Sequence, residues 1–410
     1  MYKTDIYIDF DKINKKIENL ELTISEGRVK KIIGLTVEVE GIKAFVGELC
    51  VIYNQVNKPV NCEVVGFKDK EVILMALGEL TLIAPGCKVI SKGIPLSVMC
   101  SDNLLGKVLD GLGNPIDNSD AVLGDRYNLN NEPPDPMKRK KIRNIMETGV
   151  RAIDAFTTCG EGQRIGIFAG SGVGKSTTLG MIARNAKADV NVIALIGERG
   201  REVLDFIDKD LGEEGMKKSV VVCATSDKAP LVRLKGALTA TAIAEYFRDQ
   251  GKKVILMMDS VTRFAMAQRE VGVAIGEPPA QKGYTPSVFA MLPKLMERTG
   301  TSDKGSITAF YTVLVDGDDF NEPIADTTRG ILDGHIVLSR DLANKNHYPS
   351  IDVLNSLSRL MNEIASKEDI KIASFARDML AEYREAEDLI NIGAYASGTN
   401  KKIDEAIYYH

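Results

Sequence analysis

The stretch QRIGIFAGSGVGKSTT, residues 163–178, decides the fold of this chain. Its apolar run 165–168 predicts a strand, a glycine-rich loop follows, and the residues from Lys175 onward predict a helix. In that context the pattern predicts a phosphate-binding loop, because glycines let several backbone N–H groups point at phosphate oxygens. Ala169 stands where the pattern has its first glycine. The loop residues predicted to contact nucleotide are Gly170, Ser171, Gly172, Val173, Gly174, Lys175, Ser176 and Thr177.

Two side chains of this loop suit the chemistry of a nucleoside triphosphate. The Lys175 ammonium would reach the β- and γ-phosphates, and the Ser176 hydroxyl would ligate Mg²⁺. The start of the helix adds the positive end of its dipole. A glycine-rich turn with a merely solvated lysine is the alternative, but strand, loop, Lys-Ser pair and helix all agree. The stretch therefore predicts that the protein binds a nucleoside triphosphate.

The bulk composition restricts the class of protein further. The chain has 410 residues, of which 44% are hydrophobic and 27% charged, with a net charge of −5. These values are typical of a globular protein of two or three domains and argue against a dedicated nucleic-acid binder. Six scattered cysteines without a C-x-x-C pair predict free thiols and no zinc site. Because no run approaches a membrane span, we expect a cytoplasmic protein that can still associate peripherally with a membrane complex.

The pattern along the chain predicts an α/β fold with smaller flanking domains. Short β runs separated by turns predict a small N-terminal β-barrel, and alternating buried strands and helices then predict a P-loop (RecA-like) domain with a mostly parallel sheet. After Pro349 we expect no further strand, and the apolar spacing from Ile372 to Tyr383 predicts an amphipathic helix. The predicted divisions are an N-terminal segment 1–25, a barrel 26–92, the nucleotide-binding domain 93–345 and a C-terminal helical domain 346–410.

A nucleotide hydrolase also needs an acid near Mg²⁺ and a group that orients water. Asp259 ends a buried-type strand, where parallel sheets place ligands. Glu198 and Arg199 follow another such strand and would polarise water and contact the γ-phosphate. Taken alone, their segment is more typical of an exposed loop of mixed charge. Downstream, Tyr348 could stack on a base or pack locally, and Arg359 could be an arginine finger or a surface charge.

From residue 27 to residue 398 the chain resembles the α/β family of rotary-type hexameric ATPases. Residues 349–358, PSIDVLNSLS, match the family signature P-S-I-D-x-x-x-S-x-S. Within the family, the segments GERGREV at 197–203, MDSVTRFA at 258–265 and GEPP at 276–279 are most similar to the flagellum-specific ATPases of the type III export apparatus. The chain ends at His410, short of the last helical residues usual in the family.

The resemblance implies roles and partners for this chain. Lys175 and Ser176 match the phosphate and Mg²⁺ residues, and Asp259 matches the Walker B acid. The remaining matches are Glu198 to the catalytic carboxylate, Arg199 to a γ-phosphate contact, Tyr348 to the adenine-stacking aromatic, and Arg359 to the finger that reaches a neighbouring subunit. The family also implies a homohexameric ring that hydrolyses ATP to drive export, together with an export regulator, a stalk protein, chaperone–substrate complexes and the membrane export gate.

Four other functions remain open at this point. The first two are a virulence-type type III secretion ATPase and the catalytic subunit of a rotary ATP synthase. A non-catalytic nucleotide-binding subunit is a third, and Glu198 argues against it. The fourth is a hexameric RNA translocase, against which the acidic composition and the lack of interleaved aromatic and basic residues in the barrel argue. The sequence therefore favours an export ATPase that binds no nucleic acid.

Overall fold

The computed structural model describes residues 25–315, 317 and 319–410. These residues form two compact units, of which the first ends at Pro95 and the second begins at Leu96. The predicted N-terminal segment 1–25 lies outside the described residues, except for Ser25. Each unit is described by itself below.

The first unit is a closed antiparallel barrel in the order β1-β2-β5-β4-β3-β6. Its alternate residues, such as Val37, Leu74 and Val89, point inward and are fully buried. The predicted β-barrel is thereby confirmed. The strands of the barrel are β1 Glu26–Ile33, β2 Thr36–Glu40, β3 Glu48–Tyr53, β4 Pro59–Lys68, β5 Glu71–Ala76 and β6 Lys88–Pro95.

The second unit is built on a mostly parallel sheet in the order β19-β18-β12-β17-β15-β13-β14-β8. Its edge strand β19 is antiparallel to β18, and the short β16 pairs antiparallel with β17. Two small sheets, β7-β9 and β10-β11, lie outside it. The strands of this unit are β7 Ser97–Cys100, β8 Val108–Asp110, β9 Asp125–Asn128, β10 Ile145–Met146, β11 Cys159–Gly160, β12 Arg164–Ala169, β13 Val190–Ile196, β14 Ser219–Ala224, β15 Lys253–Asp259, β16 Gly300–Thr301, β17 Ser306–Leu314, β18 Gly334–Leu338 and β19 Ile351–Ser358.

Helices cover this sheet and continue beyond it. Short 3₁₀ turns and a π-helical turn, Phe206–Leu211, accompany them. The α-helices are α1 Arg151–Phe156, α2 Lys175–Asn185, α3 Gly200–Asp205, α4 Gly212–Lys217, α5 Pro230–Asp249, α6 Val261–Ala274, α7 Pro286–Glu297, α8 Pro323–Ile331, α9 Arg340–Asn344, α10 Met361–Ile364, α11 Lys367–Asn391 and α12 Lys401–Tyr409.

The central strands form because their residues are apolar on both faces. Every residue of β13 is buried, as expected for a parallel strand with helices on both sides. The helix α5 is buried almost all around and begins with Pro230, whose fixed φ suits the first helical position. The Ser260 hydroxyl accepts a hydrogen bond from the Arg263 N–H and caps α6. The predicted fold class is therefore confirmed: a barrel, a mostly parallel α/β sheet and C-terminal helices.

One expectation about the C-terminal part of the chain is wrong. A strand does follow Pro349, because β19 pairs with β18 at the edge of the central sheet. The sequence did not predict this strand because half of its residues are polar, so that it lacks the continuous apolar pattern of the inner strands. Its pairing with β18 is also interrupted. Segment 346–410 is thus not purely helical, and the domain limits given above stay predictions. Among the described residues, no helix is long and apolar enough to cross a membrane.

Candidate functional site

The glycine-rich loop connects the carboxyl end of β12 to the start of α2. Gly172 and Gly174 have φ values of +78° and +92°, which residues with a side chain rarely adopt. Ala169 is still part of β12 and is buried, so the change from glycine at this position lies before the turn. Val173 points down into the core and anchors the loop. The predicted strand, loop and helix therefore present backbone N–H groups and a helix start to one open edge of the sheet.

The same edge brings together three of the predicted site residues. Lys175 Nζ lies 2.6 Å from Asp259 Oδ1 and 3.4 Å from Glu198 Oε1. The three residues come from separate elements: Lys175 opens α2, Asp259 ends β15, and Glu198 follows β13. Because β12, β17, β15 and β13 follow one another in the sheet and are parallel, the carboxyl ends of β12, β15 and β13 all lie on the side of the loop. Two carboxylates and an ammonium thus share one partly buried cluster.

This cluster shifts the protonation of its members. Burial, followed by the charge of Asp259, raises the pKa of Glu198 to about 7, although Lys175 opposes the shift. Burial disfavours the charged form of Lys175, but Asp259 and Glu198 outweigh it and raise the pKa of the ammonium. At neutral pH the cluster therefore holds a charged lysine beside a glutamate that is close to its titration midpoint. A carboxyl with a midpoint near the working pH suits proton transfer.

Asp259 is held in place by a residue that the sequence did not single out. Thr312 of β17 donates a hydrogen bond from its hydroxyl to Asp259 Oδ1 at 2.7 Å. This contact fixes the carboxylate, which is buried at the end of its strand. Thr312 carries no motif and its role depends on the neighbouring strand. Only the order of strands in the sheet could have revealed it.

Tyr348 lies beside the phosphate loop. A Cβ built on Gly174 would lie 3.6 Å from two ring carbons of Tyr348, Cδ1 and Cε1. Tyr348 is 57% exposed, so it is accessible to a ligand. Ser350, two residues on, is buried and donates a hydrogen bond to the Val173 carbonyl at 2.6 Å. This hydrogen bond attaches the segment before β19 to the loop. Ser350 was not among the residues predicted from the sequence.

The two predicted arginines lie apart from this cluster. The Arg199 guanidinium is 83% exposed and pairs with Glu202 Oε1 at 3.6 Å. Arg359 follows β19, whose last residue Ser358 pairs with Gly334 at the amino end of β18. That end is separated from the loop edge by the length of β18, roughly 13 Å at strand spacing. The structure therefore places Arg359 at the opposite edge of the sheet from the loop of the same chain.

Another arginine, Arg263, lies closer to the site. A Cβ built on Gly197, beside Glu198, would lie 2.9 Å from the Arg263 Cβ. The Arg263 Nε is buried and has no hydrogen-bond partner among the described residues. An orphaned buried donor is costly unless a ligand or water satisfies it. Arg263 belongs to the segment MDSVTRFA, which indicated the family resemblance but was given no role in the site.

Family models match most of this architecture. The ATP synthase α/β family nucleotide-binding domain matches residues 149–358, and its β-barrel domain matches residues 29–93. The C-terminal domain of the type III secretion ATPase EscN matches residues 365–410. The flagellum-specific ATP synthase of Bacillus subtilis (strain 168) is 56% identical over 405 residues, covering 97% of this chain and 92% of that protein.

This chain belongs to the flagellar and type III secretion ATPases of the ATP synthase α/β family. It is an ATP-binding ATPase of that group. The type 3 secretion system ATPase of Xanthomonas euvesicatoria is 49% identical to it over 96% of this chain and 90% of that protein. The assembled ATPase EscN of enteropathogenic E. coli has a TM-score of 0.88 and 47% identity, covering 93% of this chain and 92% of that one. EscN in complex with its central stalk EscO has a TM-score of 0.86 and 46% identity over the same shares.

Proposed function

We propose that this ATPase hydrolyses ATP with Mg²⁺ as a homohexameric ring and thereby energises flagellar type III protein export. The observation that carries the catalytic part is the contact of Lys175 with both Glu198 and Asp259 at the mouth of the phosphate loop. A phosphate-binding lysine, an acid near Mg²⁺ and a group that orients water recur in phosphoryl transfer, and the pKa of about 7 of Glu198 suits proton transfer. In this proposal Lys175 binds the β- and γ-phosphates and Glu198 orients the attacking water.

The donor set fits a magnesium ion. Ser176, in the first turn of α2, offers a hydroxyl, and Asp259 offers a carboxylate that now pairs with Lys175. Among the described residues there is no cluster of three or more His, Cys, Asp or Glu that could hold a metal by itself. This suits Mg²⁺, which usually takes one or two protein ligands and completes its shell with phosphates and water. When bound, Mg²⁺ would neutralise charge on the phosphates.

Different residues bind the base and the phosphates of the nucleotide in this proposal. We propose that Tyr348 stacks on adenine, which the proximity of its ring to Gly174 and its exposure to solvent support. The loop N–H groups of residues 170–177 bind the phosphates. Arg199 would have to turn inward from its contact with Glu202 to reach the γ-phosphate. We propose that it does so when nucleotide is bound.

Arg359 supports assembly into a ring. Its side chain contacts the Arg329 carbonyl at 3.4 Å on the edge of the sheet opposite the phosphate loop, so it cannot serve its own site there. A finger supplied to the neighbouring subunit resolves this, since such fingers contribute roughly 10³–10⁵ in rate. The similarity to EscN, which was solved as an assembled ATPase, supports a ring for this chain too.

The flagellar assignment rests on the relatives. The identity is 56% with the flagellum-specific protein of Bacillus subtilis and 49% with the secretion ATPase of Xanthomonas euvesicatoria. We propose that the ring works in the cytoplasm at the membrane export apparatus, releasing chaperones, unfolding substrates and delivering them to the export gate. An export regulator and a stalk protein are its further partners, and the EscN–EscO complex supports the stalk. The C-terminal match to a secretion ATPase argues against an ATP synthase subunit.

A mixed-ring experiment tests the shared site. Glu198→Gln and Arg359→Ala proteins are each expected to be nearly inactive, because one lacks the carboxylate and the other the finger. When the two are mixed, an intact Glu198 meets an intact Arg359 at some interfaces, and turnover should return. Specific activity of the unmutated protein should also rise with its concentration.

Other outcomes would contradict the proposal. Arg359→Ala protein that keeps full turnover at every concentration would show that each subunit works alone. Full turnover by Glu198→Gln would remove its catalytic role. For the biological role, the chain is expressed in a flagellate bacterium that lacks its own flagellar ATPase. Motility restored by the unmutated chain and not by Glu198→Gln is the expected result.

A further inference from the structure

The strand β19 contacts several parts of the ATPase that the proposed function uses. Immediately before it, Ser350 is hydrogen-bonded to the phosphate loop through the Val173 carbonyl. Immediately after it comes Arg359. The end of the strand is fixed by Ser358, whose hydroxyl donates to the Thr158 carbonyl at 2.8 Å and accepts from Gln163 Nε2 at 3.1 Å. The residues of the family signature thus connect the phosphate loop, through β19, to Arg359.

The middle of β19 is a large bulge. Val337 of β18 pairs with Asp352 and His335 pairs with Leu357, so Ile336 alone stands opposite residues 353–356. Ser356 closes the bulge, because its hydroxyl donates to the Asp352 carbonyl at 2.6 Å and accepts from the Val337 N–H at 2.9 Å. Such bulges re-aim a strand locally and are common next to active sites.

The Asp352 carboxylate organises this bulge. It accepts hydrogen bonds from the Leu354 N–H at 3.0 Å, the Asn355 N–H at 3.2 Å and the Asn355 Nδ2 at 2.9 Å. Its side chain is only 8% exposed, and Arg384 Nη2 of α11 lies 3.1 Å from Oδ1. Burial disfavours the charge, but the hydrogen bonds from Arg384 and Asn355 outweigh it and lower the pKa of Asp352. Arg384 therefore supplies the positive charge that keeps a buried carboxylate ionised.

A second arginine of the same helix reaches the same strand. Arg377 Nη2 donates to the Ser356 carbonyl at 3.0 Å and to the Phe156 carbonyl at 2.8 Å. The helix α11 thus contacts both ends of the bulge. Asp352 is two residues from Ser350 and four from Tyr348, whereas Arg359 lies beyond the bulge. A displacement of Asp352 by α11 should therefore change the position of the phosphate loop more than that of Arg359.

We propose that Arg384 is a positioning residue for the nucleotide site of its own subunit. Through Asp352 it holds the start of β19, and with it Ser350 and Tyr348, against the phosphate loop. It joins the C-terminal helices to the loop by two polar contacts, Arg384 to Asp352 and Ser350 to the Val173 carbonyl, which the backbone from Asp352 to Ser350 connects. The inference rests on the proposed function, since its clearest test uses the shared site. Displacement of reacting groups by about 1 Å can cost about a hundredfold in rate.

The test places Arg384→Met in one kind of subunit of the mixed ring at a time. In the Arg359→Ala subunit, which supplies the working phosphate loop and Glu198, the change should lower the restored turnover roughly ten- to a hundredfold. In the Glu198→Gln subunit, which supplies only Arg359, it should leave that turnover unchanged. The opposite pattern would overturn the proposal, because Arg384 would then act through Arg359. If the mixed ring with unmutated Arg384 is inactive, it is the proposed function that fails.

A direct binding measurement separates positioning from folding. The dissociation constant of a fluorescent ATP analogue should rise several-fold in Arg384→Met and recover in part in Arg384→Lys, which keeps the charge. The matched control is Glu387→Gln, which removes the exposed Lys345–Glu387 ion pair of the same helix and should change neither quantity. Unchanged analogue binding in Arg384→Met protein that assembles normally would refute the proposal. So would an equal loss of turnover in both kinds of subunit.

Discussion

The raised pKa of Glu198 predicts a specific pH dependence of turnover. With a midpoint of about 7, the ionised fraction of Glu198 is roughly one-tenth at pH 6 and nine-tenths at pH 8. Because only the carboxylate can accept a proton from water, kcat/KM should rise about tenfold over this interval. At its usual pKa of 4.5, Glu198 would be almost fully ionised at both pH values, and the profile would be flat.

The assay is steady-state turnover at saturating Mg²⁺ from pH 6 to pH 8, since kcat/KM reports the free enzyme. Nucleotide binding is measured over the same range to remove any contribution of phosphate protonation, whose pKa is about 6. Glu202→Gln is the matched variant, because Glu202 adds to the upward shift without touching Lys175. Its midpoint should move to lower pH. A flat profile in the unmutated protein would refute the reasoning.

The same shift has a consequence for stability without nucleotide. Because the folded state binds the Glu198 proton more tightly than the unfolded chain, stability should fall as pH rises from 4.5 through about 7. The rise of the pKa from 4.5 to about 7 corresponds to at most about 3–4 kcal/mol, and partial exposure of the side chain reduces this. Glu198→Gln protein should therefore gain thermal stability over the unmutated protein at pH 8 and not at pH 5. Equal differences at both pH values would show that the carboxyl is not shifted.

Three further predictions concern other parts of the molecule. Tyr348→Ala should weaken nucleotide binding about 5- to 150-fold and Tyr348→Phe should not, measured by titration with a fluorescent analogue. Gly174→Ala should weaken analogue binding by about 1–2 kcal/mol, because an alanine is strained at a φ of +92°. The added Cβ would be in ordinary van der Waals contact with Tyr348, which contributes no strain. Arg298→Met leaves Glu245 buried without its partner and should destabilise the protein by about 3–5 kcal/mol in urea unfolding, with part regained in the double variant with Glu245→Gln.

The parts of the fold that were predicted from the sequence are those with local signals. The strand β13 was expected from its continuous apolar run, because a strand covered on both faces needs no alternation. No boundary between β1 and β2 was predicted, and the turn that separates these two strands has Gly34 at a φ of +56°. The strand β19 was missed, since its polar bulge is satisfied by contacts from β18 and α11. Those contacts come from other elements of the fold, so the local sequence does not reveal them.

The two consecutive residues Glu198 and Arg199 show where local reasoning about the site stops. Glu198 was assigned to the attacking water, and Arg199, as its neighbour in sequence, was assigned to the γ-phosphate. Arg199 has a polyproline II backbone conformation, with φ −75° and ψ 142°, in which successive side chains point about 120° apart. Glu198 therefore contacts Lys175 while the Arg199 side chain is exposed to solvent, and the segment has to move for Arg199 to reach the site. Arg263, which is 65 residues further on, lies beside Gly197 because α6 begins directly after β15. The proximity of a cation to this site is therefore decided by the order of strands in the sheet and not by distance along the chain.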